Sequence, residues 1–299
     1  MFQHILVPLD GSHLAEAALP VAAQLSKKLG SSVTLLHVIE KNAPEEIHGD
    51  RHLTNPDEAC AYLEQIAEKY FDPEIRVETH VHTQEVENVP QSIVEHTSEL
   101  APDLIVMCTH GAGGIRKWFV GSIAQRVIGQ GKMPILLVQP DEYGAAPPVR
   151  FARFMVALDG DKEHERALRG AAYLAQATPA RLHLLTVIPT MGTLTGQRAA
   201  TGKLLPTATQ AMLEYNEETA ITFLQRHLDE LRSQGLEVEA EVRRGDPAHM
   251  IIESAEGNGD DLIVLGTHGK AGMNAFWAGS VAPKIVGHTH LAILLVPAI

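Results

Sequence analysis

Two stretches of the chain place glycines and a serine at spacings that suit a phosphate-binding loop. The stretch at residues 265–280 reads LGTHGKAGMNAFWAGS and directly follows the apolar run at residues 262–265. Helix-forming sequence begins at Ser280, so we expect the glycines where a buried strand ends and a helix starts. Glycine lets backbone N–H groups approach an anion, and a helix N-terminus adds unpaired donors and partial positive charge. This stretch therefore predicts a site for a phosphorylated ligand.

A second copy of this loop lies at residues 108–122 and differs at its first position. Gly111, Gly121 and Ser122 repeat the spacing, but Cys108 stands where the first glycine is expected. A side chain there crowds a phosphate unless the backbone keeps a negative φ. We therefore expect a phosphorylated ligand at residues 265–280 first, and at residues 108–122 as well. The alternative for any such glycine loop is a tight turn without a ligand.

The two loops belong to a chain that repeats itself. Five signals recur in the same order: FQHILVPLDGS with FARFMVALDG, LLHVI with LLTVI, DLIV with DLIV, THG with THG, and ILLV with ILLV. Repetition in one order indicates a duplicated domain. We predict domains at residues 1–140 and 151–299, joined by a linker at residues 141–150 whose Pro, Gly and Ala suit an exposed connection.

Short apolar strands alternate with helical segments in each copy, which predicts an α/β fold with a doubly wound, five-stranded parallel sheet per domain. The predicted helices include residues 14–29, 56–70, 91–100, 122–128 and 208–234. In such a sheet a ligand binds beyond the carboxyl ends of the strands, where the strand order reverses. The first and fourth strands flank that point, so Asp10 and Asp159, each ending a first strand, are expected beside the glycine loops. Turn capping is the alternative role for both carboxylates.

The spacing Gly266-x2-Gly269-x9-Gly279-Ser280 resembles the G-x2-G-x9-G-S/T pattern of the ATP-binding branch of the universal stress protein family. Its setting at a strand–loop–helix junction, in a duplicated frame, strengthens the resemblance. The resemblance covers both halves except the linker and residues 189–206. It implies two tandem flavodoxin- or Rossmann-like domains of the adenine nucleotide alpha hydrolase type. It also implies ATP or another adenine nucleotide as the ligand, with Mg²⁺ as a candidate companion of the phosphates.

The same resemblance implies which residues contact the nucleotide, with adenosine at the aspartate and valine positions and phosphates at the glycine loops. In the second copy these residues are Ala157, Asp159, Val187, Leu265, Gly266, His268, Gly269, Gly279, Ser280 and Val281. In the first copy they are Pro8, Asp10, Val38, Met107, His110, Gly111, Gly121, Ser122 and Ile123. The copies depart from each other where Asp161 replaces Ser12, and where residues 87–89 replace the Gly-Asp-Pro-Ala element at residues 245–248.

The resemblance implies a sensor or regulator of the stress response that binds nucleotide, and no catalytic residue is predicted. A slow ATPase or phosphotransferase is the alternative; turnover would be slow because the sequence lacks the P-loop pattern G-x4-G-K-[ST] and a clear base. A third interpretation is an interaction scaffold without nucleotide, for which Cys108 is the main argument. His110 and His268 are interpreted as loop-shaping, because no Ser or Cys nucleophile has a sequence signature beside them.

The chain contains sixteen histidines, some closely spaced, which raises the question of a metal site. The close pairs are His80 with His82, His288 with His290, and His48 with His52, the last on one helix face if that segment is helical. No cysteine pair completes a four-ligand site, so we predict surface histidines and no metal. Cys60 is expected to pack within a helix, and Cys108 is expected near the first pocket.

Composition and charge exclude several classes of partner. The formal net charge of −13 opposes general nucleic-acid binding, and no apolar run reaches the ~20 residues of a membrane span. The N-terminus enters a strand directly, so we expect a cytoplasmic protein.

The resemblance implies that the final strands, at residues 135–138 and 293–296, pair as an intrachain pseudo-dimer. Two chains are expected to form a homodimer, and a regulatory protein partner is expected but not identified.

The connection at residues 189–206 is long for a compact domain, so we predict that it is either a functional flap or disordered. Arg198 and Lys203 lie in it and would meet phosphates if it closes over a nucleotide. Two solvated charges on a mobile loop are the alternative.

Overall fold

The computed structural model describes residues 1–47, 49–109, 122–130, 132–140, 145, 148–161, 165–194, 196–268 and 281–298. Several residues named above lie outside these ranges: His48, His110, Gly111, Gly121, Gly269, Gly279 and Ser280. The side chains of Ser122, Arg198 and His268 also lie outside the described part of the chain.

The first half alternates strands and helices along the chain. Its elements are β1 (His4–Pro8), α1 (His13–Glu16), α2 (Leu19–Leu29), β2 (Ser32–Glu40), β3 (Glu46–Ile47), β4 (Asp50–Arg51), α3 (Pro56–Tyr70), β5 (Val77–Val86), α4 (Val89–Glu99), β6 (Leu104–Cys108), α5 (Ser122–Gln130) and β7 (Ile135–Val138). Strands β1, β6 and β7 are continuous apolar runs, as expected of parallel strands covered on both faces.

The second half repeats this order. Its elements are β8 (Arg153–Ala157), α6 (Glu165–Ala177), β9 (Arg181–Ile188), α7 (Gly196–Leu204), α8 (Pro206–Ser233), β10 (Val238–Arg244), α9 (Pro247–Asn258), β11 (Leu262–His268), α10 (Val281–Val286) and β12 (Ala292–Ala298). The helix before β10, α8, is longer than the counterpart α3, with 28 residues against 15. Two large apolar clusters sandwich the strands, one including residues of α2, α3, α6 and α8, the other residues of α4, α5, α9 and α10.

Ten strands form one sheet in the order β10-β9-β8-β11-β12-β7-β6-β1-β2-β5, with five strands from each half. Within each half all neighbouring strands pair in parallel, so the predicted five-stranded parallel sheet per copy is confirmed. The strand order reverses between the first and fourth strands of each half, at β1 and β6 and at β8 and β11. The reversal therefore lies where the sequence places the glycine loops.

The two halves join through their last strands. β7 and β12 pair in antiparallel fashion, with Leu136 opposite Leu294 and Leu137 opposite Ile293. All four side chains are almost fully buried. The pairing of final strands that the resemblance implied is therefore present, and it removes one exposed edge from each five-stranded sheet.

An aspartate before each fourth strand fixes that strand against the first. The two carboxylate oxygens of Asp103 accept hydrogen bonds from the backbone N–H groups of Gln3 and His4, both at 3.0 Å. In the second half, Asp261 accepts from the Ala152 N–H at 2.9 Å. We call these contacts the aspartate clamps. They hold the amino ends of the first and fourth strands together, at the edge opposite the predicted site.

The second half adds a buried histidine and carboxylate beside its clamp. His183 Nδ1 lies 2.8 Å from Asp260 Oδ2, and the Nε2 atom lies 3.3 Å from Glu241. Burial alone would lower the pKa of His183, but the hydrogen bond and charge of Asp260, with the charge of Glu241, raise it above its ordinary value. The histidine and Asp260 join β9 to the start of β11.

Three segments differ from the predictions made from the sequence. The single helix at residues 14–29 is split into α1 and α2, because Pro20 near the start of α2 lacks a backbone N–H and breaks the helix. The connection at residues 189–206, predicted to be either a functional flap or disordered, contains the helix α7, which was not predicted. Glu46–Ile47 and Asp50–Arg51 pair as the two-stranded hairpin of β3 and β4, and His52, which follows it, does not lie on a helix. Within the described ranges, no helix has both the length and the apolar composition needed to cross a membrane.

The antiparallel pairing of β7 with β12, which we call the seam, predicts energetic coupling between Leu136 and Leu294. Each substitution to alanine is expected to lower the free energy of unfolding by about 2–5 kcal/mol, because each leaves a cavity in the core. Since the side chains face each other, the double variant should differ from additivity by about 0.5–3 kcal/mol. Urea unfolding measures these values. Leu63→Ala, in α3 over the far strand β5, is the control and should be additive with Leu294→Ala. Additivity of Leu136→Ala with Leu294→Ala would contradict the seam.

The cluster around His183 predicts a pH-dependent contribution to stability. The folded-state pKa lies above the unfolded value, so the stabilisation is fully present below about pH 6.5 and is lost as the pH rises through the folded pKa. His183→Gln should therefore lower the free energy of unfolding more at about pH 5.5 than at about pH 8.5. Chemical denaturation of both proteins at the two pH values measures this difference. An equal loss at both values would show that the histidine is not charged in the fold.

Candidate functional site

The carboxyl ends of β1 and β6 are not paired with each other. Their ladder includes Ile5 with Leu104 and Leu6 with Ile105, and it ends there although β1 continues to Pro8. In the second half, the corresponding ladder of β8 and β11 runs over four pairs and reaches Ala157 and Leu265. The last residues of β1 and β6 are thus able to line a cavity at the strand-order reversal.

A cavity of about 390 Å³ lies beyond these strand ends. Five residues predicted from the sequence contribute to its wall: Pro8, Asp10, Val38, Met107 and Ile123. These residues come from β1, the turn after it, β2, β6 and α5, so the fold brings together positions that are far apart in the chain. The remaining predictions for the first copy concern His110, Gly111, Gly121 and the Ser122 side chain, which lie outside the described residues.

One side of the cavity is apolar. Val38 and Met107 are each 6% exposed, and Ile93 of α4 is 3% exposed. Ile123 and Ala124, at the start of α5, add to the same lining. This side therefore suits a flat, uncharged group rather than a phosphate.

Asp10 shapes the turn that follows β1. Its Oδ1 atom accepts hydrogen bonds from the Ser12 N–H at 2.9 Å and from the Ser12 hydroxyl at 2.6 Å. Ser12 Oγ in turn accepts from the Ala15 N–H and caps α1. The turn-capping role is thus present, and Asp10 also lies in the cavity wall. In the second half, Asp159 accepts from the Asp161 N–H at 3.0 Å, so both aspartates make the same local turn.

Cys108 lies at the end of β6 in the cavity wall, as predicted. Its thiol donates to the Ala15 carbonyl at 3.8 Å. Burial raises the pKa of the Cys108 thiol, and the nearby charge of Asp10 raises it further. The thiol therefore stays protonated and is a poor nucleophile. The expectation that Cys60 packs within its helix is wrong, because this side chain is exposed.

The charged part of the wall comes mainly from residues that the sequence analysis did not identify. Glu40, Glu87 and Arg126 line the cavity together with His52. Glu87 forms an ion pair with Lys41 at 2.8 Å. The wall thus contains the carboxylates of Asp10, Glu40 and Glu87 and the guanidinium of Arg126. A polyphosphate is disfavoured beside the carboxylates and favoured near Arg126.

The position of His52 in the wall depends on the hairpin of β3 and β4, which directly precedes it. Its turn contains Gly49 at φ +87°, a conformation that glycine adopts without strain. The dipeptide Gly49-Asp50 between two short segments was the available signal for a turn. It is weak, because strands of two residues carry no periodicity.

The second half brings its predicted residues to the equivalent edge. Leu265 pairs directly with Ala157, and Val187 lies in the neighbouring strand β9. The fourth strand is longer than predicted: β11 continues to His268, and Gly266 pairs with Val296 within it. Gly266 therefore lies inside the strand rather than at its end. Val281 begins α10.

His80, His82 and His288 contact other residues of the chain. The rings of His80 and His82 contact the His96 ring edge-to-face, at 4.9 and 5.0 Å between centroids. His288 Nδ1 bonds the Lys284 carbonyl at 2.7 Å, beyond the end of α10. Among the described residues, no group of three or more His, Cys, Asp or Glu side chains is arranged to hold a metal ion.

The fold and the cavity define a class: a tandem α/β protein with a ligand-sized cavity at a strand-order reversal. A sequence model of the universal stress protein family matches residues 1–139 and 150–297. A universal stress protein of Mycolicibacterium smegmatis is 23% identical over 306 residues, which cover 98% of this chain and 96% of that protein. One from Synechocystis is 33% identical over 141 residues, which cover 46% of this chain and 86% of that protein.

Solved structures agree with this fold. A universal stress protein from Archaeoglobus fulgidus aligns with a TM-score of 0.61 at 19% identity, covering 99% of this chain and 96% of that one. A functionally unknown protein from Pseudomonas aeruginosa aligns with a TM-score of 0.70 at 18% identity, covering 99% and 93%. Because the family matches most of the chain in two consecutive blocks, the chain belongs to the universal stress protein family.

The surroundings of the two cysteines predict different reactivity. Cys60 is exposed and should react at once with a thiol reagent such as DTNB, whereas Cys108 should react only after unfolding, because it is buried and its pKa is raised. Cys60→Ser should therefore abolish the fast phase of labelling in the native protein. A fast phase that survives in this variant would show that Cys108 is accessible and ionised.

Proposed function

We propose that this universal stress protein binds ATP or another adenine nucleotide and acts as a nucleotide-dependent sensor or regulator in the stress response. The observation that carries the proposal is the cavity of about 390 Å³ at the reversal between β1 and β6. Its wall includes five residues that the family motif assigns to the nucleotide. Its volume lies in the range of about 300–1,000 Å³ that small-molecule sites occupy.

The lining suggests how the nucleotide would lie. The adenosine would occupy the apolar side at Val38, Ile93 and Met107. The Asp10 carboxylate would accept a hydrogen bond from a ribose hydroxyl. The phosphates would lie toward the start of α5, where backbone donors and Arg126 supply positive charge. Mg²⁺ bound with them would use phosphate oxygens and water, so the proposal requires no protein ligand to the metal.

A second nucleotide is proposed at the reversal between β8 and β11. This half carries the full glycine motif, with Gly266 in β11, and Ala157, Val187 and Val281 at the same edge. Both sites together would give two nucleotides per chain.

Regulation requires a physical route from the nucleotide to the rest of the chain. α5 leads from the first cavity into β7, which pairs with β12 of the other half. The buried side-chain amide of Gln139, next after β7, donates to the Val286 carbonyl at the end of α10 at 3.0 Å. Nucleotide binding that shifts α5 or α10 would act on this contact. The affinity of one site would then depend on occupation of the other.

Localisation and assembly belong to the same proposal. The exposed free thiol of Cys60 is compatible with the reducing cytoplasm. We propose that the chain forms a homodimer and acts on an unidentified protein partner. Light scattering with and without ATP measures the molecular mass and therefore tests the homodimer.

Narrowing one cavity at a time tests the sites. Ile123 and Val281 hold matching, half-buried positions at the start of α5 and α10, so Ile123→Trp and Val281→Trp form a matched pair. Calorimetric titration with ATP should give two sites in the unchanged protein and one in each variant. Mass spectrometry of nucleotide released from freshly purified protein should identify an adenine nucleotide.

Two results would contradict this proposal. Absence of ATP binding in the unchanged protein would favour an interaction scaffold without nucleotide. Rapid phosphate release that is lost in Gly269 and Ser280 variants would favour an enzyme over a sensor.

A further inference from the structure

The exposed apolar side chains of this protein are concentrated on one part of the second half, around α7 and α8. In the described part of the chain, seven large apolar side chains are exposed, and six of them lie between Met191 and Ile221. None of these six lines the cavity of the first half. Single exposed apolar residues are common on protein surfaces, but a cluster of them on neighbouring elements marks an interaction site.

Only one of the two apolar faces of α8 is covered by the rest of the chain. The covered face consists of buried side chains at helical spacing: Leu213, Ala220, Leu224 and Leu231. The uncovered face, which we call the α8 stripe, consists of Leu205, directly before the helix, followed by Ala208, Met212 and Tyr215. Spacings of three, four and three residues keep these four side chains on one side of a helix. Met212 is 60% exposed and Tyr215 is 68% exposed.

The same helix face continues beyond the stripe with two threonines. The hydroxyls of Thr219 and Thr222 donate hydrogen bonds to the backbone carbonyls of Tyr215 and Glu218, at 2.9 and 3.0 Å. Both hydroxyls therefore keep a hydrogen-bond partner when this face is covered. Covering the face leaves no unpaired polar group on it, so the cost of removing water from it is small.

The amino end of the stripe is held in place by the packing of α7. Gly202 of α7 is buried, and a Cβ there would lie 3.3 Å from Leu194 and 3.6 Å from Thr209 of α8. α7 therefore lies close against both the turn before it and α8. This packing places Lys203, in the last turn of α7, beside the start of the stripe.

Charge is distributed unevenly along the stripe. Lys203 lies at its amino end, whereas Glu214 and Glu218 lie one turn apart beside its carboxyl end, and all three side chains are exposed. A parallel pair of such helices would bring the glutamates of both copies together. An antiparallel pair brings the lysine of each copy to the glutamates of the other, so the charges are complementary in this orientation alone.

We propose that the α8 stripe is the surface through which two copies of this chain form a homodimer, with their α8 helices antiparallel about a twofold axis. The homodimer itself is part of the proposed function, on which this inference rests, and nucleotide binding is not required for it. An axis midway between Ala208 and Met212 pairs Leu205 of one copy with Tyr215 of the other, and Ala208 with Met212. Every layer is then apolar, and a small side chain faces a large one at the centre.

The charge near the stripe argues against a membrane as the occupant. Anionic lipid headgroups attract clusters of Lys and Arg, whereas the stripe is flanked by Glu214 and Glu218 in a chain of net charge −13. A second copy of this chain brings its own lysine to these glutamates.

The length of the stripe sets the strength of the expected dimer. Residues 205–215 extend over about 15 Å along a helix axis. An interface of this length lies at the small end of specific protein interfaces, so we expect a reversible dimer with a dissociation constant in the micromolar range.

Sedimentation velocity of the full chain without nucleotide, at about 1–200 µM, measures this dissociation constant. Met212→Glu places a charge on the stripe of both copies, so the dissociation constant should rise at least about thirtyfold, and Tyr215→Glu should have the same effect. Ile221→Glu is the matched control. Ile221 is 55% exposed on the same helix, but it lies two and a half turns after Met212 and therefore on the opposite side. This variant should stay within about twofold of the unchanged protein.

Exchanging charges tests the antiparallel orientation. Lys203→Glu and Glu218→Lys should each weaken the dimer about fivefold at low salt, because each replaces an attraction between the copies with a repulsion. The double variant restores opposite charges and should return to within about twofold of the unchanged protein. A double variant weaker than either single one would overturn the antiparallel pairing.

The outcomes separate this surface from the rest of the proposed function. Dimers that persist in both Met212→Glu and Tyr215→Glu would overturn the inference and leave the homodimer on another surface. A monomer at every concentration would overturn the homodimer as well, while calorimetric titration with ATP still tests nucleotide binding. A monomer that cosediments with vesicles of phosphatidylcholine and phosphatidylserine, and loses this binding in Met212→Glu, would replace the second copy with a membrane.

Discussion

The contact between the first and fourth strands of each half determines at which end of the sheet a cavity can open. The clamps of Asp103 and Asp261 tie the two strands at their amino ends through backbone hydrogen bonds. At the carboxyl ends the neighbours on either side run away from each other, because the chain winds in opposite directions from this point. In the first half the ladder stops at Leu6, and the cavity opens beyond it. The first and fourth strands are thus joined at their amino ends and separate at their carboxyl ends, as the strand order allows.

The seam of β7 and β12 makes the two proposed sites parts of one structure. Each final strand follows the helix that begins beside its own site, so each site is one helix and one strand away from the seam. Gln139 adds a direct link, since it donates across the seam to the end of α10. An extended sheet with a buried junction transmits a shift better than two domains on a flexible linker would. Duplication within one sheet therefore does more than double the number of proposed sites, because it also connects them mechanically.

The sequence predicted the elements whose signals are local and failed where the structure depends on distant contacts. Buried parallel strands such as Ile135–Val138 are short apolar runs and were predicted from the sequence. The hairpin before α3 was missed, because its strands are two residues long and it is held by His13 and His37, which are remote in sequence. The residues of the candidate site divide in the same way, into those with a local motif and those brought in by distant contacts. The motif located Asp10, but Glu40 and Arg126 reach the wall only through the fold.

The two halves have kept the same sheet and changed the walls around it. In the second half, Gly245 has φ +154°, and a Cβ there would lie 2.8 Å from Met250, so only glycine permits this turn before α9. The first half has Asn88 at the start of α4 in its place, and it carries the hairpin of β3 and β4 where the second half carries α7. Walls of different chemistry over equivalent strand ends are expected when a duplicated site no longer has to bind the same ligand in the same way. The cavity of the first half therefore has a wall chemistry of its own, with Glu40 and Arg126 at positions that the shared sheet does not determine.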